Sequence, residues 1–133
     1  MRGVVLADAG PLYALRDLDD TLYERSREDL GRLKAERLKT LVSYSTLLEG
    51  HTLALRKLGI AEAHSFLRYA ARTATLVNPT AEDYDRAIER VLRYPDQDIS
   101  FADAVVAEIG TRLEVPVWTY DHHFDVMGTR VWR

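Results

Sequence analysis

Short apolar runs alternate with longer stretches in which apolar residues recur every three or four positions, the pattern of strands separated by helices. Residues 3–7 predict a first strand, halted by Asp8 and Gly10-Pro11. Residues 20–39 place Leu22, Leu30, Leu33 and Leu38 among many charges, which predicts a surface helix with one apolar stripe. A short strand is expected at 41–44, then a Leu-rich helix over 46–58 stopped by Gly59. Another helix follows over 61–72, a third strand over 75–77, a turn at Asn78-Pro79 and a helix over 80–93 that ends before Pro95. Residues 100–113 form the most apolar helix. Phe101, Ala102, Val105, Val106, Ala107, Ile109 and Leu113 cover more than half its circumference, so it is expected to be buried. Residues 115–119 predict a fourth strand and 129–132 a final one.

Strands separated by helices imply a parallel sheet joined by right-handed crossovers, an α/β class. No linker, low-complexity tract or repeat interrupts the series, so a single domain over residues 1–133 is expected. In such a sheet each helix N-terminus lies at the same edge as the strand C-termini. Asp8 and Asp121, at strand ends, and Glu49 and Asp103, in first helical turns, would then meet at the edge where open α/β sheets place ligands.

Composition narrows the chemistry. With 133 residues and 47% hydrophobic content the chain suits one core, burying roughly two-thirds of the surface of its unfolded form. There is no Cys, which removes disulfides, thiolate nucleophiles and Cys-bound metals, so any metal must be held by oxygen or imidazole. The first apolar run is broken at Asp8, unlike a signal peptide, and no apolar run approaches the ~20 residues of a membrane span. A cytoplasmic protein without membrane contact is expected. A net charge of -3 argues against attraction of nucleic acid over the whole surface. Setting the four acids aside leaves 18 positive against 17 negative side chains, a near-neutral body around one acidic spot.

The acids have two possible roles. Thr46-x-x-Glu49, Thr80-x-x-Asp83 and Ser100-x-x-Asp103 all match the capping box, Asp121 could cap a turn of helix at 122–126, and Asp8 could hold the Gly10-Pro11 turn. Asp103 favours a different role, because Val106, Ala107 and Gly110 lie three, four and seven residues on, a small apolar face suited to pressing on a sheet. An unpaired charge buried there costs several kcal/mol, and no Lys or Arg lies near Asp103 in that segment. Clustered carboxylates repel one another unless a hard cation such as Mg²⁺ or Mn²⁺ joins them. Such a site activates water and neutralises charge on a leaving oxygen, the chemistry of phosphodiester hydrolysis.

Neighbouring residues carry weaker signals. Thr119, two before Asp121 on a strand, points to the same side and could hydrogen-bond the site. Asp98 and Asp125 could orient water, although Asp98 beside Asp96 and Gln97 also reads as a solvated loop. His122 could contact phosphate, and His122 with His123 could ligate metal, while adjacent His after a strand commonly lie at the surface. Arg25, Arg27, Arg32, Lys34, Arg37 and Lys39 form the densest basic segment, but Glu24, Glu28, Asp29 and Glu36 interleave with them as on a solvated helix face.

Four pieces taken together carry a family resemblance: Val5-Leu6-Ala7-Asp8-Ala9-Gly10-Pro11-Leu12, Ser43-Tyr44-Ser45-Thr46-Leu47-Leu48-Glu49, Ile99-Ser100-Phe101-Ala102-Asp103-Ala104 and Thr119-Tyr120-Asp121-His122-His123-Phe124. In order and spacing, and over essentially the whole chain, they resemble the PIN-domain nucleases, particularly the VapC-like toxins of toxin–antitoxin pairs. The resemblance implies a three-layer α/β/α fold around a parallel sheet of four to five strands. It implies a magnesium-dependent (or manganese-dependent) endoribonuclease with Asp8, Glu49, Asp103 and Asp121 as its metal-binding acids, a homodimer, and inhibition by a cognate antitoxin. Two positions depart from the pattern: Ala9-Gly10 supplies no hydroxyl after the first acid, leaving that hydrogen bond to Thr119 or water, and His122 stands where Lys or Arg is frequent. Two rivals share the fold class. A phosphoryl-accepting receiver domain expects paired acids after its first strand and a Lys after its last, neither of which is present. A non-catalytic binding scaffold would use the acids only as caps.

Overall fold

The computed structural model describes residues 1–133. In β1 (Val4–Ala7), Val5, Leu6 and Ala7 are fully buried although they alternate between faces, which requires helices on both sides of the strand. β1 lies inside a four-stranded parallel sheet with β2 (Lys39–Ser43), β3 (Thr75–Val77) and β4 (Val117–Trp118), ordered β3-β2-β1-β4. Against one face pack α5 (Ala81–Leu92) and α6 (Phe101–Leu113), joining Leu6 and Val117 to Ala87, Val105, Val106 and Ile109. The opposite face carries α1 (Ala9–Ala14), α2 (Tyr23–Ala35), α3 (Tyr44–Leu58) and α4 (Ile60–Thr73), whose Leu12, Leu33, Leu47 and Phe66 cover Val5, Ala7, Val42 and Trp118. This is the expected three-layer α/β/α arrangement. No helix is long and apolar enough to cross a membrane.

Strand order decides where a site can form. From β1 the chain runs outward through β2 to β3, then returns through α5 and α6 to β4 on the other side of β1. The order reverses between β1 and β4, and such a reversal opens a crevice at the carboxyl ends of the two strands. Asp8 follows β1 and Thr119 follows β4 at that crevice, with Ala7 in register with Trp118.

Several boundaries differ from the sequence pattern. Residues 9–14 form α1 instead of a simple turn, since Pro11 sits in the first helical turn, where its missing N–H has no intrahelical partner to lose. The final strand is reduced to one parallel bridge, Val117 to Val131, so the sheet has four strands. α3 starts at Tyr44, capped by Ser43, whose Oγ accepts from the Ser45 N–H at 3.2 Å. Thr46 is thus not a cap, and Glu49 falls in the second turn, not the first. Most of α6 is buried as expected, but Phe101 at its start is 46% exposed. Gly110 lets α6 approach the sheet closely: a Cβ there would sit 3.1 Å from Val117 Cγ2 and 3.3 Å from the Val115 carbonyl oxygen.

Candidate metal centre

Asp8 is held from both sides. Its backbone N–H donates to the Trp118 carbonyl at 2.9 Å, and its Oδ2 accepts from Thr119 Oγ1 at 2.8 Å. The carboxylate is buried, and Oδ1 has no hydrogen-bond partner. Although Asp8 is the N-cap residue of α1, its side chain makes no capping hydrogen bond.

Asp103 arrives from the first turn of α6. Ser100 Oγ accepts from the Asp103 N–H at 3.0 Å, but the Asp103 carboxylate does not reach back to the Ser100 backbone. α5 shows the contrast, since Thr80 and Asp83 close a reciprocal capping box at 2.9 and 3.0 Å. Capping therefore accounts for the Asp83 carboxylate and leaves that of Asp103 free. Glu49 reaches the same place from α3, and one carboxylate oxygen from each of Asp8, Glu49 and Asp103 lies within 4.8 Å of the others.

Asp121 stands beside this trio. Its N–H donates to Thr119 Oγ1 at 3.0 Å, so one hydroxyl links the acids that follow β1 and β4. Its Oδ1 accepts from the His123 N–H at 2.9 Å and lies 2.9 Å from His123 Nδ1, which ties it to the start of α7 (His123–Val126). The N-cap position of α7 falls on His122, so Asp121 bonds the first N–H of the helix from one residue further out, and it faces Asp103 as well.

Crowding sets the electrostatics. Burial pushes the Asp8 carboxyl up, with the Thr119 hydroxyl drawing it part of the way back. Glu49 is raised by burial and then by the charge of Asp8. Asp103 is raised to about 8, first by burial, then by Asp8, and then by a hydrogen bond in which its proton is shared with Asp121. For Asp121 burial acts upward, but the His123 N–H and the Asp103 hydrogen bond outweigh it and hold the group low. Three carboxyls pushed up together, with one buried oxygen lacking any donor, suit a divalent cation. The donor set of Asp8, Glu49 and Asp103 is all oxygen, which suits Mg²⁺ or Mn²⁺.

The acids line an open cavity of 940 Å³, whose wall also includes His122, Arg56, Thr52 and Tyr120. His122 is exposed, with Nδ1 3.8 Å from Asp121. Asp98 is fully exposed and meets the site only through His123, whose Nε2 lies 3.1 Å from Asp98 Oδ1. Asp125 is drawn away to Arg133 at 2.6 Å and does not line the cavity.

Two residues differ from their sequence reading, and a third was not singled out by it. His123 is buried between Asp121 and Asp98 instead of lying at the surface. Asp29, read as a solvated charge, is buried and accepts from the Tyr120 hydroxyl at 2.7 Å and from Trp118 Nε1 at 3.3 Å. Arg56 stands on the cavity wall; its place seven residues after Glu49, on one helix face, is the signal that could have found it.

Solved structures share this architecture. Mycobacterium tuberculosis VapC20, a sarcin-ricin loop cleaving toxin, superposes with a TM-score of 0.83 at 22% identity, covering 97% of this chain and 98% of that one. This chain has the PIN-domain fold of the VapC toxins. VapBC2 from Rickettsia felis, solved with a DNA fragment from its promoter, matches with a TM-score of 0.75 at 11% identity over 98% and 97% of the two chains. A toxin–antitoxin complex from Klebsiella pneumoniae matches at 0.68 and 18%, over 96% of each. No family model and no curated protein matches the sequence. At these identities the VapC likeness is one of fold, and the chemistry rests on the side chains described above.

Proposed function

We propose that this protein is a divalent-metal-dependent endoribonuclease, the toxin half of a toxin–antitoxin pair. The observation that carries the proposal is the meeting of Asp8, Glu49 and Asp103 within 4.8 Å at the β1/β4 crevice, with Asp8 Oδ1 buried and unpartnered. Its likeness in fold to VapC20, a toxin that cleaves the sarcin-ricin loop, supports RNA as the substrate.

Asp8, Glu49 and Asp103 would hold Mg²⁺ or Mn²⁺, which when bound supplies Lewis-acid activation of water and neutralises charge on the phosphate. Asp8 is the most fixed member, locked by Thr119 and by the backbone of β4. Asp103, raised to about 8, must give up its proton to hold the ion, so affinity grows as pH rises toward that value. Asp121 stays ionised at neutral pH, beside Asp103, where its carboxylate is placed to accept a proton from the attacking water. Water is the nucleophile, and no side chain forms a covalent bond to RNA.

A cognate antitoxin and a homodimer complete the proposal. The first is supported by the two toxin–antitoxin assemblies of like fold. The second is supported by the exposed apolar side chains of Tyr84, Ile88, Leu92 and Phe101 on the adjoining α5 and α6. The substrate is one a toxin meets in the cytoplasm.

The test is RNA cleavage with and without EDTA. Cleavage is expected to need Mg²⁺ or Mn²⁺ and to vanish in Asp8→Asn and Asp103→Asn while both variants remain folded. Full activity in EDTA excludes the mechanism, and a folded, metal-saturated protein that binds RNA without cutting it leaves a binding scaffold.

A further inference from the structure

Four acids make a hostile entrance for RNA. Even with a divalent cation in place, phosphates on either side of the cut pass an acidic wall, and affinity for single strands comes mainly from cations along the backbone track. Among the residues lining the cavity, Arg56 alone carries a fixed positive charge. We propose that Arg56 binds a phosphate flanking the scissile one; this inference rests on the nuclease reading and names a substrate contact for it.

Position supports the assignment. Arg56 lies seven residues beyond Glu49 on α3, with Thr52 between them on the same cavity wall. Two turns separate Arg56 from Glu49, about 10 Å along the axis. Helical side chains lean toward the N-terminus, which directs the guanidinium back toward the acids. It is too far along the helix to neutralise Glu49, yet within reach of a neighbouring nucleotide. Arg16, Arg90, Arg112 and Arg133 are engaged with Glu62, Glu108, Asp83 and Asp125, while Arg2, Arg37, Arg68, Arg72 and Arg93 are unpaired but do not line the cavity. Arg56 is exposed and makes no hydrogen bond or ion pair, so its five donors are free for a phosphate. It also supplies the fixed charge that His122 lacks. A basic residue in the last turn of a helix commonly serves the helix dipole, a role that would register in stability alone.

The experiment compares the parent with Arg56→Ala and Arg56→Lys on a short single-stranded RNA and on a dinucleotide, which has no flanking phosphate. Arg56→Ala is expected to raise KM for the longer RNA about tenfold, the loss of one charge-assisted contact, with kcat changed less than about twofold. KM for the dinucleotide stays unchanged, and Arg56→Lys recovers most of the loss. In an Asp103→Asn background that silences cleavage, Arg56→Ala lowers the slope of log affinity against log salt by about 0.7. Unchanged KM and unchanged salt slope overturn the proposal, as does an equal loss on both substrates. A parent that binds RNA without cleaving it sinks the nuclease reading alone, and the salt slope then decides Arg56. A parent that neither cleaves nor binds overturns both.

Discussion

Thr119 Oγ1 donates to Asp8 Oδ2 at 2.8 Å, bridging 111 residues of sequence between the ends of two adjacent parallel strands. The same hydroxyl accepts from the Asp121 N–H, so it sets two acids of the site at once. It takes the place of the hydroxyl that Ala9-Gly10 cannot provide.

Thr119→Val keeps the shape and removes the donor. Asp8 Oδ2 then sits buried without a partner, and its carboxyl is expected to rise further. Metal affinity should fall about 10- to 100-fold, the usual effect of losing a residue that orients a ligand. Titration with Mn²⁺, followed by calorimetry, measures it; unchanged affinity would show that the hydroxyl does not orient Asp8 for metal.

Asp103→Asn tests whether the acids oppose folding when no cation is present. The folded carboxyl is raised to about 8, above its unfolded value, so the folded state holds that proton more tightly. The native protein therefore loses stability as pH climbs from about 4 toward 8, the opposite of a carboxylate that gains a cationic partner. In EDTA at pH 8 the Asn variant should match or exceed the parent, by on the order of 1 kcal/mol after allowance for solvent screening. Urea unfolding gives the answer, and a loss of several kcal/mol would favour a capping role for the side chain. Saturating Mn²⁺ should reverse the ranking by stabilising only the parent.

Asp83 titrates with the opposite sign. Burial pushes it up, but the Arg112 guanidinium and the Thr80 N–H pull it below the usual carboxylate value. Its contribution is complete above the unfolded value of about 4 and fades as pH falls through the lowered folded value. Asp83→Asn should cost about 1–2 kcal/mol at pH 7 and flatten the stability curve below pH 4. Thermal melts across that range would expose an error if both proteins weaken in parallel.

Arg90 and Glu108 form the best-buried ion pair, at 2.8 Å, with Arg90 also donating to the Met127 carbonyl at 3.1 Å. Glu108→Ala leaves the guanidinium buried without its partner and should cost about 3–5 kcal/mol. Pairing Arg90→Met with Glu108→Leu should recover most of that loss, because the desolvation cost disappears along with the attraction. A double-mutant cycle by denaturant unfolding separates the two outcomes, and failure to recover would assign the pair a further structural role.

Much of the frame was legible from local pattern. The alternation of apolar runs and amphipathic stretches located β1 to β4 and five of the helices, because burial on a sheet or helix face repeats with fixed periods. α1 escaped notice because Gly10-Pro11 reads as a turn, although a first helical turn tolerates both residues. The last strand was over-read, since Val131 alone reaches β4. Helical pattern expects Phe101 inside, but as the first residue of α6 it stands half exposed beside the Tyr84 ring.

What the chain by itself determined was the set of acids, the places of Asp8, Asp103 and Asp121 at element ends and the parallel order that could collect them, all consequences of nearest-neighbour chemistry and periodicity. Only the tertiary structure decided what each acid does. Asp83 and Asp103 have the same Ser/Thr-x-x-Asp signature, yet one closes its capping box against Arg112 and the other turns to Asp8 and Asp121. Asp29 went from an apparent surface charge to a buried acceptor for Tyr120 and Trp118, and the fold brought Arg56 to the cavity wall. The physical reason is range: hydrogen-bonded caps and apolar stripes act over a few residues, whereas desolvation and charge clustering depend on whatever distant segments the sheet order brings together.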